Sequence, residues 1–203
     1  MKRVVLASGN AGKLRELAAL LTPLGLELLT QGALGIPLPE ETGSTFRENA
    51  LLKARHAAQA AGLPALADDS GLEVDALGGA PGVRSARYAG PGATDAQNLE
   101  LLLRELAARP GAARGARYQC VIVFLRAADD PAPLVAHGTW EGSIALHGRG
   151  SGGFGYDPVF VPAGATCTAA EMAAVDKNRV SHRGQALAAL IAMLSAPGYI
   201  AAP

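Results

Sequence analysis

The chain opens with an apolar run that passes directly into a helical period. "KRVVLAS" (Lys2–Ser8) has the continuous apolar character of a buried strand, and Leu14, Leu17, Leu21 and Leu24 then recur on one helical face. A strand that feeds straight into an amphipathic helix needs a sheet for one and an apolar surface for the other. Pro23 and Gly25 mark the expected end of the helix, and "LELLT" predicts a second strand. Beyond the punctuated loop "QGALGIPLPEETG", Thr45 and Glu48 form a capping box for a helix expected to reach about Gly62. "PALADDSGLEVDAL" reads as a strand, a break and a second short strand, followed by the long irregular loop "GGAPGVRSARYAGPG".

A second capping box, Thr94 with Gln97, predicts a helix through about Arg109. "ARYQCVIVFLRA" and "PLVAHGTWEGSIAL", joined by "ADDPA", predict an antiparallel hairpin. "HGRGSGGFGYDPVFVP" combines a glycine loop with a strand, and Thr168 with Glu171 caps a short helix. Ser181 opens a final helix with Leu187, Leu190, Ile191 and Leu194 on its apolar side. Helices alternating with strands, and a hairpin extending the sheet, predict a mixed α/β fold over residues 1–203, one large domain or two joined lobes.

Charge balance narrows the function. Eighteen basic and eighteen acidic residues give no net charge, which argues against a general nucleic-acid binder. No signal core or long apolar span is visible, so neither export nor membrane insertion is expected. With two cysteines in unrelated contexts, Cys120 and Cys167, a reduced cytoplasmic protein is expected. Among the basic residues fourteen are Arg and four are Lys: Lys2, Lys13, Lys53 and Lys177. In a chain that prefers Arg, a retained Lys calls for a reason, and a compact ammonium suits phosphate oxygens.

Four stretches carry candidate chemistry. "SGNAGK" (Ser8–Lys13) links a strand to a helix, where backbone N–H groups, the helix N-terminus and Lys13 suit an anion; an ordinary βα turn is the alternative. It is not a Walker A loop, since the glycines are too close and no Ser/Thr follows the lysine. Gly148, Gly150 and Gly153 match G-x-G-x-x-G, but a strand-like segment follows where a dinucleotide site needs a helix. A loop bringing Phe154 and Asp157 to a flat ligand fits better, with Phe154 filling the core as the alternative. In "SHRGQAL", Ser181 serves as N-cap while His182 and Arg183 oppose the helix dipole, which points to an acceptor nearby or to solvated charge. Lys177 adds a third donor. Finally, Glu40, Glu41, Asp68, Asp69 and Asp75 suggest Mg²⁺, which takes one or two carboxylates together with phosphate and water. Taken alone, Asp68-Asp69-Ser70-Gly71 is also a good turn sequence.

Together "ASGNAGKLREL", "PEETGSTFRENALLKA", "ALADDSGLEVDALGGAPGVRSARY", "GGFGYDPVF" and "SHRGQAL" closely resemble the inosine triphosphate pyrophosphatase family, in order and over nearly the whole chain. The resemblance implies an elongated mixed β-sheet flanked by helices, in two lobes with the active site in the cleft between them, and a homodimer. It further implies hydrolysis of ITP, XTP and their deoxy forms to the monophosphate and pyrophosphate with Mg²⁺. By motif position Ser8, Gly9, Asn10, Ala11, Gly12 and Lys13 would hold phosphate, with Lys53 adding charge and Ser70 beside the substrate. Asp69 would accept the proton of the attacking water and bind metal. Phe154, Gly155, Tyr156, Asp157, Lys177, His182 and Arg183 would read the base. Glu40 is favoured as the second metal carboxylate, although alternation along an extended chain leaves Glu41 open.

Overall fold

The computed structural model describes residues 3–21 and 25–195. Lys2, at the start of the expected first strand, and Pro23 and Leu24, at the end of the expected first helix, lie outside the described residues. The expected mixed α/β fold is what forms: one six-stranded sheet with strand order β2-β1-β3-β4-β5-β6, and helices between the strands.

The chain divides into two compact units, Met1–Asp69 with Cys120–Gly138 and Gly184–Pro203, and Ser70–Gln119 with Thr139–Arg183. In the first unit, β1 (Arg3–Leu6) pairs in parallel with β2 (Glu27–Thr30) and with the start of β3 (Ala65–Val74), in registers Val5↔Leu29 and Val5↔Ala65. Helix α1 (Ala11–Leu21) and helix α5 (His182–Leu194) supply Leu17, Leu21, Leu187, Leu190 and Leu194 to a core with Val4, Leu6, Leu66, Ile122 and Phe124. Each such side chain removed from water contributes about 1.5–3 kcal/mol, so α1 and α5 are fixed by their apolar faces. Helix α2 (Phe46–Ala61) starts at the expected capping box. The Thr45 side chain accepts from the Glu48 amide, the Glu48 carboxylate returns to the Thr45 amide, and Gly62 closes the helix in the left-handed region.

The second unit is built on Leu72, Val74, Leu102, Leu106, Tyr118, Trp140, Tyr156, Val159 and Phe160. Helix α3 (Asp95–Ala107) begins at the second capping box, Thr94 with Gln97. Strands β4 (Gly115–Leu125) and β5 (Leu134–Ile144) are sheet neighbours, and the Ile144 amide donates to the Arg114 carbonyl at 2.9 Å, as the expected hairpin requires. The short β6 (Phe160–Pro162) pairs antiparallel with β5, and α4 (Ala174–Val180) precedes α5.

Three local expectations are corrected. "LADDSGLEV" has no break: β3 runs unbroken from Ala65 to Val74, with Leu66, Ala67, Leu72 and Val74 buried on either side of Ser70-Gly71. Burial of those flanking residues outweighs the turn preference of Asp-Ser-Gly. The strand expected at "YDPVFV" is confined to Phe160–Pro162, because the amides of Val159 and Phe160 both turn back to the Tyr156 carbonyl. The long loop after Gly78 contains a 3-10 helix, Gly82–Arg87, fastened where the Ser85 hydroxyl accepts from the Leu72 amide and donates to the Gly82 carbonyl.

Candidate active site

The first cluster joins β3 to α2. Successive residues of a strand point to opposite faces, and the two adjacent aspartates meet different lysines. Lys13 Nζ lies 3.0 Å from Asp68 Oδ2, and Lys53 Nζ lies 2.7 Å from Asp69 Oδ1. Asp68 therefore pairs with Lys13. Lys53 also reaches Glu41 Oε1 at 3.1 Å, and Asn49, one turn earlier on α2, donates weakly to Asp69 Oδ2 at 3.5 Å. The side-chain Oδ1 of Asn49 accepts from the Gly43 amide (2.8 Å), tying the acid-bearing loop to the same helix.

Burial is the largest single influence at both ends of the Lys53–Asp69 pair but is answered differently. It pushes the Asp69 carboxyl up, and the nearby Lys53 and Lys13 only partly oppose it. Burial also pulls on Lys53, but the carboxylates of Asp69, Asp68 and Glu41 together raise it above its usual value, so it stays an ammonium. Glu40 is exposed, whereas Glu41 is half-buried and turned to Lys53.

Among the described residues no group of three or more His, Cys, Asp or Glu side chains could hold a metal ion alone. Asp69 and Glu41 nonetheless converge on one ammonium. Two carboxylates around one cationic point, needing further oxygens to complete a shell, fit Mg²⁺ carried in with a phosphate.

The turn at Ser8–Lys13 is organised from within. Asn10 Oδ1 accepts from the amides of Gly12 (2.8 Å) and Lys13 (3.1 Å), and Ser8 Oγ accepts from the Asn10 amide at 3.3 Å. Asn10 thus caps α1, and three of the amides expected to face an anion, those of Asn10, Gly12 and Lys13, are engaged locally. Ala11 is the first residue of α1. Gly9 lies under Leu38: a Cβ there would sit 2.5 Å from Leu38 Cδ1.

The second cluster is walled by rings. Asp157 is buried and accepts from Lys177 Nζ (2.7 Å), the Phe154 amide (2.9 Å) and, at long range, the Tyr118 hydroxyl (3.4 Å). Glycines bring the loop this close. A Cβ on Gly153 would collide with the Asp157 carboxylate, and one on Gly150 would stand 2.6 Å from the Ala170 backbone. Lys177 Nζ and Arg183 Cζ lie 5.0 and 5.7 Å from the centre of the half-buried Phe154 ring, within cation–π range. Arg183, 2% exposed, donates to Ser70 Oγ at 2.9 Å. His182 is buried against Tyr118, ring centres 4.6 Å apart and planes 7° from parallel. The Gly155 amide donates to Asp95 (2.7 Å), and the buried Tyr156 donates to the Ser85 carbonyl (2.8 Å), so these two residues anchor the loop.

Thus Lys53 and Asp69 form one group with Glu41 and Asn49, while Phe154, Asp157, Lys177 and His182 form another with Tyr118. Asn49, Tyr118 and Trp140 were not singled out from the sequence. Asn49 sits four residues before Lys53, a spacing that puts both on one helical face, and was the one of the three with a readable signal.

By fold the chain is an α/β protein built like solved Ham1 proteins. It superposes on a HAM1 protein from Coxiella burnetii with TM-score 0.89 at 51% identity, covering 96% of this chain and 99% of that one. The Ham1 protein of Staphylococcus aureus gives 0.83 at 40% identity, over 95% and 98%. The chain belongs to the Ham1 family, whose model matches residues 4–193. A relative from Methylococcus capsulatus, a dITP/XTP pyrophosphatase, is 60% identical over 96% of this chain and 97% of its own length. The dITP/XTP pyrophosphatase of Escherichia coli O157:H7 is 58% identical over 94% and 97%.

Proposed function

We propose that this protein hydrolyses non-canonical purine nucleoside triphosphates, ITP and XTP with their deoxy forms, to the nucleoside monophosphate and pyrophosphate. The observation that carries the reading is Asp69, a buried carboxylate held by Lys53, in a chain about 60% identical to dITP/XTP pyrophosphatases.

The substrate's phosphates lie against Lys13, Lys53 and the Ser8–Lys13 turn, whose ammonium groups and helix N-terminus offset its charge. Water attacks phosphorus and Asp69 accepts its proton. A new P–O bond forms, the bond to the bridging oxygen breaks, and pyrophosphate leaves with that electron pair. A carboxyl raised above the usual aspartate range is a better proton acceptor than an ordinary one, and such a base contributes about 10²- to 10⁴-fold. Mg²⁺, bound by Asp69 with Glu40 or Glu41, would neutralise charge on the phosphates and developing charge on the leaving oxygen. The bond from Lys53 to Glu41 favours Glu41 over Glu40, the residue expected from the sequence.

Hypoxanthine and xanthine present an acceptor at position 6, where adenine presents a donor. Donors from His182, Arg183 and Lys177 suit the first and oppose the second, with Phe154 as the flat surface for the base. A homodimer and a cytoplasmic setting belong to the same reading; among the described residues no helix is long and apolar enough to cross a membrane.

The test is incubation of purified protein with Mg²⁺ and ITP, XTP, ATP or GTP, followed by assay of pyrophosphate. Pyrophosphate from ITP and XTP well ahead of ATP and GTP is expected. Orthophosphate as product, or equal turnover of ATP and ITP, would overturn the reading.

A further inference from the structure

Residues proposed to contact the base need a fixed geometry, and in the second unit that geometry traces to a side chain on the sheet. Tyr118 lies on β4, 7% exposed, packed edge-on against Phe160 (4.7 Å, 60°) and roughly parallel to Trp140 (6.5 Å, 23°). Its face is covered by the His182 imidazole at 4.6 Å and 7°, and Trp140 lies 6.4 Å from the same imidazole at 19°. Two near-parallel rings, Tyr118 and Trp140, thus set the tilt of His182, which has little freedom of its own at 5% exposure. The far end of Tyr118 reaches Asp157, the residue that grips Lys177 and the Phe154 amide. Burial and the nearby Asp157 charge hold the phenol well above its usual value, so the hydroxyl keeps its proton and donates.

We infer that Tyr118 is a positioning residue for base selection, its ring orienting His182 while its hydroxyl touches the Asp157 anchor of Lys177 and Phe154. Tyr118 acts through His182 and Asp157, the two residues its ring and hydroxyl contact. The stack at 4.6 Å is the stronger link, because 3.4 Å is long for an O–H···O bond. The ring therefore matters more than the hydroxyl, and Phe should stand in for Tyr where an aliphatic residue cannot. This inference rests on the proposed base-reading role of His182.

The experiment compares kcat/KM for ITP and for ATP in wild type, Tyr118→Phe, Tyr118→Leu, His182→Ala and the double variant Tyr118→Leu/His182→Ala, with thermal melting of each. Misplacing a contact by an ångström costs on the order of 10²-fold, so Tyr118→Leu should lower the ITP-to-ATP ratio by about 10- to 100-fold. Most of that loss should be rescued by Tyr118→Phe. The double variant should select no worse than His182→Ala alone. An unchanged ratio in Tyr118→Leu, or losses that simply multiply in the double variant, would overturn the inference. Should Tyr118→Leu not fold, Tyr118→Met, longer and more adaptable but without a ring, is measured in its place. A wild type without preference for ITP would refute the functional reading instead. The ring-current shift of the His182 imidazole protons then decides for Tyr118: retained in Phe and lost in the aliphatic variant if the inference holds, unchanged in both if it does not.

Discussion

Two lysine–aspartate pairs, one in each unit, have the same bond length and different surroundings. Lys53–Asp69 and Lys177–Asp157 both close to 2.7 Å, and all four residues are buried. Around the first stand further charges, Glu41, Asp68 and Lys13, so that three carboxylates face two ammonium groups. Around the second stand a backbone amide, the Tyr118 hydroxyl and the face of the Phe154 ring, a setting that fixes position. In the proposed reading the same pair of residue types serves reactivity where its neighbours are ionic and rigidity where they are aromatic. The third lysine, Lys13, meets its own buried aspartate, so each described lysine of this arginine-rich chain is tied to a buried carboxylate.

The sharpest way to break this contrast is to neutralise each aspartate. Asp69→Asn should lower kcat by about 10²- to 10⁴-fold and leave a cooperatively folded protein, since Lys53 keeps Glu41 at 3.1 Å. The wild-type pH profile should agree. Only ionised Asp69 can take a proton, so kcat/KM should fall as pH drops through its folded pKa. Burial raises the pKa of the metal-free carboxyl, so Asp69 should protonate above the ordinary 3.8 when titrated without Mg²⁺. Protonation at or below 3.8 in that titration would contradict the environment assigned to Asp69. Asp157→Asn should act mainly on stability. It leaves Lys177, 6% exposed at the side chain, without its carboxylate, a change that costs about 3–5 kcal/mol by urea unfolding. Equal stability losses at the two sites would erase the distinction.

Smaller changes sharpen it. Gly153 has φ +71°, and a Cβ there presses on the Asp157 carboxylate. Gly153→Ala should cost about 1–2 kcal/mol of backbone strain and raise KM for ITP more than it lowers kcat. Thr45→Ala removes one half of the α2 capping box and should cost about 1 kcal/mol in thermal or urea unfolding. Because Lys53 rides on α2 two turns further on, any kinetic effect should fall on kcat rather than on the ITP-to-ATP ratio.

Much of this was legible where the signal was local. The capping boxes at Thr45, Thr94 and Thr168 formed as their spacing required, although the last caps only a 3-10 turn, Ala169–Glu171. The rarity of lysine singled out Lys13, Lys53 and Lys177. The sequence hid what depends on distant partners. Asp-Asp-Ser-Gly has turn chemistry, and only the burial of Leu66, Leu72 and Val74 on either side makes it the middle of a strand. Tyr118 reads as one more aromatic in an apolar strand, and nothing local announces that it faces His182. Which of Glu40 and Glu41 turns towards Lys53 hangs on how an extended loop approaches α2, which alternation alone does not decide.

The division of labour between the clusters is tested most directly by the ratio of kcat/KM for ITP over ATP, measured in Asp69→Asn and in His182→Ala at high enzyme concentration. The account predicts that Asp69→Asn slows both substrates by the same factor and preserves the ratio, while His182→Ala collapses the ratio. A changed ratio in Asp69→Asn, or an unchanged one in His182→Ala, would contradict it.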